Sequence, residues 1–293
     1  MNTKSYPINT SIDLEWARIA PDKVVVATDD RVWVYRPSST DSRDFFAQPR
    51  SSAGSKAKTQ KLPDTSIALA KRAVSLRQPP TLTRTHWIWR LASQYHLTHS
   101  TPELMAEASQ RFANVGCEEL AQWAAQKAKE ESGHDRLALL DIQSLGYDAE
   151  AVVEALVPSS ATALVDYFIR SVQTPDPIAC VGYSYAMERL ALAVSEKHIQ
   201  TVEALLPSGT CATRCLRVHS GVGADVEHVE ETIKLVAALT SEERTRIAIA
   251  CYETALLSLS LPQRNYPSDQ ELQQILKLLE SHLNPQQNLI ASC

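Results

Sequence analysis

A chain of 293 residues, 44% of them hydrophobic, carries enough apolar material for one large core or for a main domain with an appendage. Its net charge of −5 argues against a surface built to hold nucleic acid or membrane headgroups. No run approaches the roughly 18 apolar residues of a membrane span, and the opening MNTKSYPINTSIDLEW lacks the apolar stretch of a secretory signal, so a cytoplasmic location is expected.

Residues 1–37 are expected to form a small β-hairpin extension. Lys23–Ala27 and Arg31–Tyr35 are short runs rich in valine, set around a Thr28-Asp29-Asp30 turn. A hairpin of this size is marginal alone, so it must dock on the main domain or on a partner chain, which leaves a homodimer open. Residues 38–63 are rich in Ser, Lys, Arg and Pro, with few large apolar side chains beyond Phe45 and Phe46. That composition predicts a flexible linker. Residues 64–293 then read as an all-α domain.

Within that domain, Thr83–Tyr95 opens one helix, and Ser100-Thr-Pro-Glu-Leu has the cap and first-turn proline of a second. From Glu118 a long apolar periodicity predicts one continuous helix as far as Gly146. Further helices are expected near 161–172, 182–205, 210–237, 241–259 and 268–283, with Pro207, Gly209 and Pro262 marking boundaries.

Three segments carry residues suited to chemistry. Glu131 and His134 lie three apart, beside the apolar Leu137, Leu140 and Ile142. On a helix they would share one face, and a carboxylate and an imidazole near a core need compensation of the kind a metal ion supplies. Glu188 is the lone carboxylate in a run of small and apolar residues; its plainer reading is an ion pair with the adjacent Arg189. Asp225 and His228 are again three apart, behind His219 and the glycines Gly221 and Gly223, whose softness suggests a kink or bulge. Cys211, Cys215 and His219 recur every fourth residue; buried thiols on a packed helix are favoured over zinc, which normally uses tighter cysteine turns.

The order Glu-x-x-His, a lone Glu some fifty residues on, then His followed by Asp-x-x-His about thirty later, resembles the haem-oxygenase-like di-iron oxidases and oxygenases, the iron-containing redox enzymes. The phrase EESGHDRLALLDIQSLGYD is similar to a core helix of that family, and the resemblance spans roughly residues 80–260. It implies an up-down, haem-oxygenase-like helical bundle. It also implies metal ligands at Glu131, His134, Glu188, His219, Asp225 and His228, with Glu107 (or Glu103) as the earlier carboxylate. The family places its histidine four residues before the aspartate, whereas here the gap is six. On one ideal helix that would turn His219 about 120° away from Asp225, and a bulge at Gly221–Gly223 would be needed to bring it back.

What the resemblance implies for function is a non-haem oxidoreductase with two Fe(II) ions, the second held weakly, and O2 as co-substrate. Its substrate would be a small amino-acid-like or fatty-acid-like metabolite. Electrons would come from an external donor, since no glycine-rich dinucleotide loop is present. The competing readings are a non-catalytic helical scaffold with a degenerate metal site and metal-free chemistry through a cysteine, which none of the six cysteines is placed to perform. Tyr147, Tyr183 and Tyr185 read first as packing residues, Trp87, Trp89 and Trp123 as core, and His86, His96 and His99 as surface or helix-end residues.

Overall fold

A computed structural model describes residues 14–37, 46, 55–74, 81–221, 225–260 and 266–280, the side chains of 225–227 excepted. Strands β1 (Glu15–Ala20), β2 (Lys23–Ala27) and β3 (Val32–Tyr35) form an antiparallel sheet in that order. β2 and β3 are the expected hairpin, with Val24 opposite Tyr35 and Ala27 opposite Val32. β1 extends it, pairing Glu15 with Ala27 and shifting register between Arg18 and Ala20. Odd-numbered Ala17, Ile19, Val25 and Ala27 face the main core, while Trp16, Val24 and Val26 face the other way and pack with Tyr35 and Phe46. This is the period-2 alternation of a sheet docked on one side. The hairpin therefore docks on its own domain, against the helices α1 (Lys56–Val74) and α11 (Ser241–Leu259).

Helix α1 corrects the linker boundary, because residues 56–63 are helical. Its buried stripe of Thr59, Leu62, Pro63, Ser66, Ile67 and Ala70 has helical spacing but is built largely from small and polar side chains. Composition alone could not reveal it. Asp64 ties α1 to helix α7 (Ala179–Ala191), accepting from Tyr185 Oη at 2.8 Å and from Arg189 Nε at 2.9 Å. Most of the remaining expected linker, residues 38–45 and 47–54, lies outside the described residues. Phe46 instead packs edge-on against Trp16, with ring centroids 5.4 Å apart.

The other helices are α2 (Arg84–Asn114), α3 (Glu118–Glu130), α4 (Asp135–Ser144), α5 (Ala149–Ala155), α6 (Ser159–Val172), α8 (Glu196–Glu203), α9 (Arg214–Val218), α10 (Asp225–Ala238) and α12 (Asp269–Lys277). Four expectations change here: the helices expected near 182–205 and 210–237 are each two, α7 with α8 and α9 with α10, and two further changes fall earlier in the chain. The two helices expected around Ser100 are one, since α2 continues through Pro102; the Thr101 hydroxyl, rather than opening a new helix, donates back to Leu97 O at 2.8 Å. The single helix expected from Glu118 to Gly146 is two. The chain stops at Glu130 and restarts at Asp135, with Gly133 at φ +85°, a conformation only glycine adopts cheaply. Around the candidate site, α7 lies so close to α11 that a Cβ on Gly182 would stand 2.5 Å from Ile247 O. Among the described residues no single helix is long and apolar enough to cross a membrane.

Candidate metal centre

The break between α3 and α4 builds the first half of the site. Glu131 caps α3, and the Ser132-Gly133 turn brings His134 back over it, so that His134 Nδ1 lies 3.0 Å from Glu131 Oε2. The two residues thus meet across a turn and not along one helical face.

His219 supplies the second half from the end of a helix; of the bulge expected at Gly221–Gly223, residues 222 and 223 lie outside the described residues. α9 ends at Val218, His219 caps it, and the chain turns before α10 begins at Asp225. Gly221 makes that turn possible. Its N–H donates to Val194 O at 3.2 Å, and a Cβ there would lie 2.8 Å from Leu192 O. His219 reaches the site because the helix is broken, so its helical phase relative to Asp225 is irrelevant. Its ring meets the His134 ring edge-on, with centroids 4.9 Å apart.

Glu131, His134 and His219 each offer one ligand atom, and these atoms lie within 4.8 Å of one another. His219 Nε2 is buried without a hydrogen-bond partner, an arrangement that is costly unless something occupies it. Burial lowers the affinity of His219 for a proton, against the pull of Glu131. A neutral imidazole is the form that binds metal. Burial would push Glu131 up, but the hydrogen bond from His134 and the charges of His219, His134 and Lys127 together hold it below the usual carboxylate range. Two imidazoles and one carboxylate are the donor set of non-haem Fe(II) sites with open positions. The residues fit an iron ion.

Helix α9 is itself anchored. Asp141 of α4 is fully buried and accepts from Arg214 N at 3.1 Å, Cys215 N at 3.0 Å and Arg214 Nη1 at 3.1 Å. Burial pushes its carboxyl up to about 6 in spite of these donors. Asp141 carried no signal beyond being a lone charge in the apolar run LALLDIQSL.

The remaining expected ligands are distributed differently. Glu188 does not pair with Arg189, which is taken by Asp64; its Oε1 lies 2.9 Å from Lys127 Nζ. His228 Nε2 lies 3.4 Å from Glu130 Oε2. Asp225 begins α10, but its side chain lies outside the described residues. Glu107 is not brought to the group: it is half-buried and bound to Arg111 one turn on, at 2.7 Å, and Glu103 is exposed. Lys127 went unnoticed in the sequence, although its place four residues before Glu131 puts it on the same helical face.

His96 and His86 serve structure. His96 Nε2 contacts the carbonyls of Val153 and Leu156, and His86, a helix-end residue in the first turn of α2, is buried and stacked on Tyr266. His99 is exposed and pairs with Asp135. Trp87 and Trp89 are core residues. Trp123 is partly buried, its indole donating to Thr232 Oγ1 at 3.2 Å. Cys215 is a buried thiol whose burial raises its pKa, as the packing reading required, but Cys211 departs from that reading, being half-buried, ahead of α9 and disulfide-bonded.

The centre opens on a cavity of about 520 Å³ that Glu131, His219, Lys127 and Glu188 line together. One wall is α2, from Trp87 to Met105, a stretch of about 27 Å at the helical rise. Apolar Leu91 and Leu97 of α2, Phe168 of α6 and Met187 of α7 line the cavity together with Gln94, Thr98 and Ser184. Tyr183 also faces it, its ring stacked on Phe168 at 4.2 Å and its hydroxyl pushed above the usual range by burial and then by Glu131.

A helical domain that sets one carboxylate and two imidazoles within ligating distance of one another beside a cavity is of the class that can hold an iron ion. The comparisons agree with that class. A family model described as iron-containing redox enzyme matches residues 88–261, more than half of the chain, and the chain belongs to that family. A crystal structure of a domain of unknown function with a haem oxygenase-like fold, from Shewanella denitrificans OS217, is similar over 73% of this chain and 90% of that one. Its TM-score is 0.54 and its sequence identity 19%. The haem-oxygenase-like helical fold expected from the sequence is thereby shown. No curated protein matches the chain.

Proposed function

We propose that this protein is a non-haem iron oxidase or oxygenase that uses O2 to oxidise a small carboxylate-bearing metabolite of amino-acid or fatty-acid type. The observation that carries the reading is the convergence of Glu131, His134 and His219, of which Glu131 and His219 line the cavity, with His219 Nε2 buried and unsatisfied. Bound there, Fe(II) would supply the capacity to activate O2.

The chain's own part is to hold the ligands, admit the substrate and keep water out. Asp141 fixes α9 and so the position of His219. The apolar stretch of Leu91, Leu97, Met105 and Phe168 offers a dry wall to a hydrocarbon segment. Arg90 lines the same cavity, is only part-buried, and makes no ion pair among the described residues. It is suited to hold a carboxylate by paired hydrogen bonds. Reducing equivalents would come from an external donor.

Anaerobic titration with Fe(II) tests the assignment. The wild-type protein should bind the ion tightly, and His134→Ala and His219→Ala should each reduce affinity by at least about a hundredfold while retaining the helical circular-dichroism signal. A protein that binds no iron would leave the scaffold reading in its place.

A further inference from the structure

Beside the three candidate ligands lie four ionisable side chains that the iron assignment does not use. Lys127 of α3 is 3% exposed. Its Nζ stands 2.9 Å from Glu188 Oε1 and 3.3 Å from Glu130 Oε2, and that same Oε2 is 3.4 Å from His228 Nε2. Two carboxylates and an imidazole, drawn from α3, α7 and α10, are thus gathered next to the first group. They include Glu188 and His228, two of the ligands that the resemblance assigns to an iron pair. An ammonium stands at the carboxylates, where a second cation would be needed to offset their charge.

The placement follows from helix register. Lys127, Glu130 and Glu131 occur at i, i+3 and i+4, so they share one face of α3. That face meets α7 at Glu188 and α10 at His228. Two carboxylates in a largely dehydrated position repel unless a positive charge lies between them. Lysine provides that charge as part of the chain, with three donors and no need for a free ion. Neither expected early carboxylate stands at this group among the described residues, because Glu107 is held by Arg111 and Glu103 is exposed.

We propose that Lys127 is the built-in second cation of a one-iron centre: its ammonium occupies the place beside Glu188 and Glu130 that a second iron would otherwise take. The inference rests on the iron assignment made above and deepens it. Glu188 is accordingly a positioning residue for Lys127 and not a metal ligand.

The test counts iron in the full-length protein after anaerobic loading with Fe(II) and removal of unbound metal, by plasma mass spectrometry. Paramagnetic resonance of the nitric oxide adduct then reads whether the ion is isolated. The wild type should hold one iron per chain and give the full signal of an isolated ferrous nitrosyl. Glu188→Gln should hold the same single iron. Lys127→Ala, which removes the ammonium and leaves room beside two carboxylates, should take up a second equivalent and lose part of the isolated-ion signal. Two irons in the wild type, loss of iron in Glu188→Gln, or a folded Lys127→Ala protein whose count stays at one would each overturn the proposal and leave the oxidase reading intact. A wild type that binds no iron would instead overturn the oxidase reading. Should Lys127→Ala fail to fold, the wild-type and Glu188→Gln counts still decide.

Discussion

Replacing Asp141 by Asn should change how stability depends on pH, by an amount that follows from burial. The carboxyl is fully buried and its pKa is raised from 3.8 to about 6. Burial favours the neutral form, although Arg214 and two backbone amides partly offset it. The folded protein therefore holds this proton at pH values where the unfolded chain has released it. Its stabilising contribution is fully present below the unfolded value near 3.8 and is lost as pH rises through about 6. A tenfold difference in proton affinity between the folded and unfolded states is worth about 1.4 kcal/mol, so the wild type should gain about 2 kcal/mol from this group on going from about pH 7.5 to about pH 4.5. Asn at the same position cannot titrate. Urea unfolding of the metal-free proteins across that range isolates the effect, since every other titrating group is common to both and cancels in the difference. The stability gap between wild type and Asp141→Asn should move in favour of the wild type by about 2 kcal/mol as pH falls. A gap that stays flat, or moves the other way, would refute the claim that burial dominates this carboxylate. Because Asp141 holds the first amides of α9, the substitution should also weaken iron binding by about tenfold, the lower end of what loss of a ligand-orienting partner costs.

Other expectations concern how the site is held and what it admits. Gly182→Ala places a Cβ 2.5 Å from the Ile247 carbonyl and 2.7 Å from the Ala250 Cβ. Forcing α7 from α11 should cost about 2 kcal/mol, seen as a melting temperature lower by several degrees. Gly221→Ala meets the Leu192 carbonyl at 2.8 Å, two residues from His219. Iron affinity should fall about tenfold or more, with a smaller change in melting temperature, and an unchanged affinity would show that the turn does not position the ligand. Arg90→Gln should raise KM for a carboxylate-bearing substrate by about ten- to a hundredfold, the worth of a charged hydrogen bond, with a much smaller effect on its uncharged amide analogue. Equal effects on the two would remove Arg90 as the anchor.

Local order in the chain was enough to show a helical protein with a short β extension, and the family resemblance put Glu131, His134 and His219 among the candidate metal ligands. Helical spacing and the hairpin's valine-rich runs depend on near neighbours and can be read directly. Even so, near-neighbour rules missed α1, whose buried stripe uses Thr59, Ser66 and Ala70 in place of large apolar residues. They also ran α3 and α4 together, because a glycine inside a helical pattern signals a break only when the chain takes φ +85° there, as Gly133 does.

The amino-acid order by itself therefore determined which residue types could bind iron and that the body would be built of helices. Only the tertiary structure decided which of those residues meet. His219 approaches His134 across 85 residues because α9 ends where it does and Gly221 folds against Leu192. Glu188 finds Lys127 and not its neighbour Arg189 because α7 packs with α1, where Asp64 claims the guanidinium. Charge pairing inside a protein depends on distance and dehydration, and both are properties of packed helices that sequence separation does not encode.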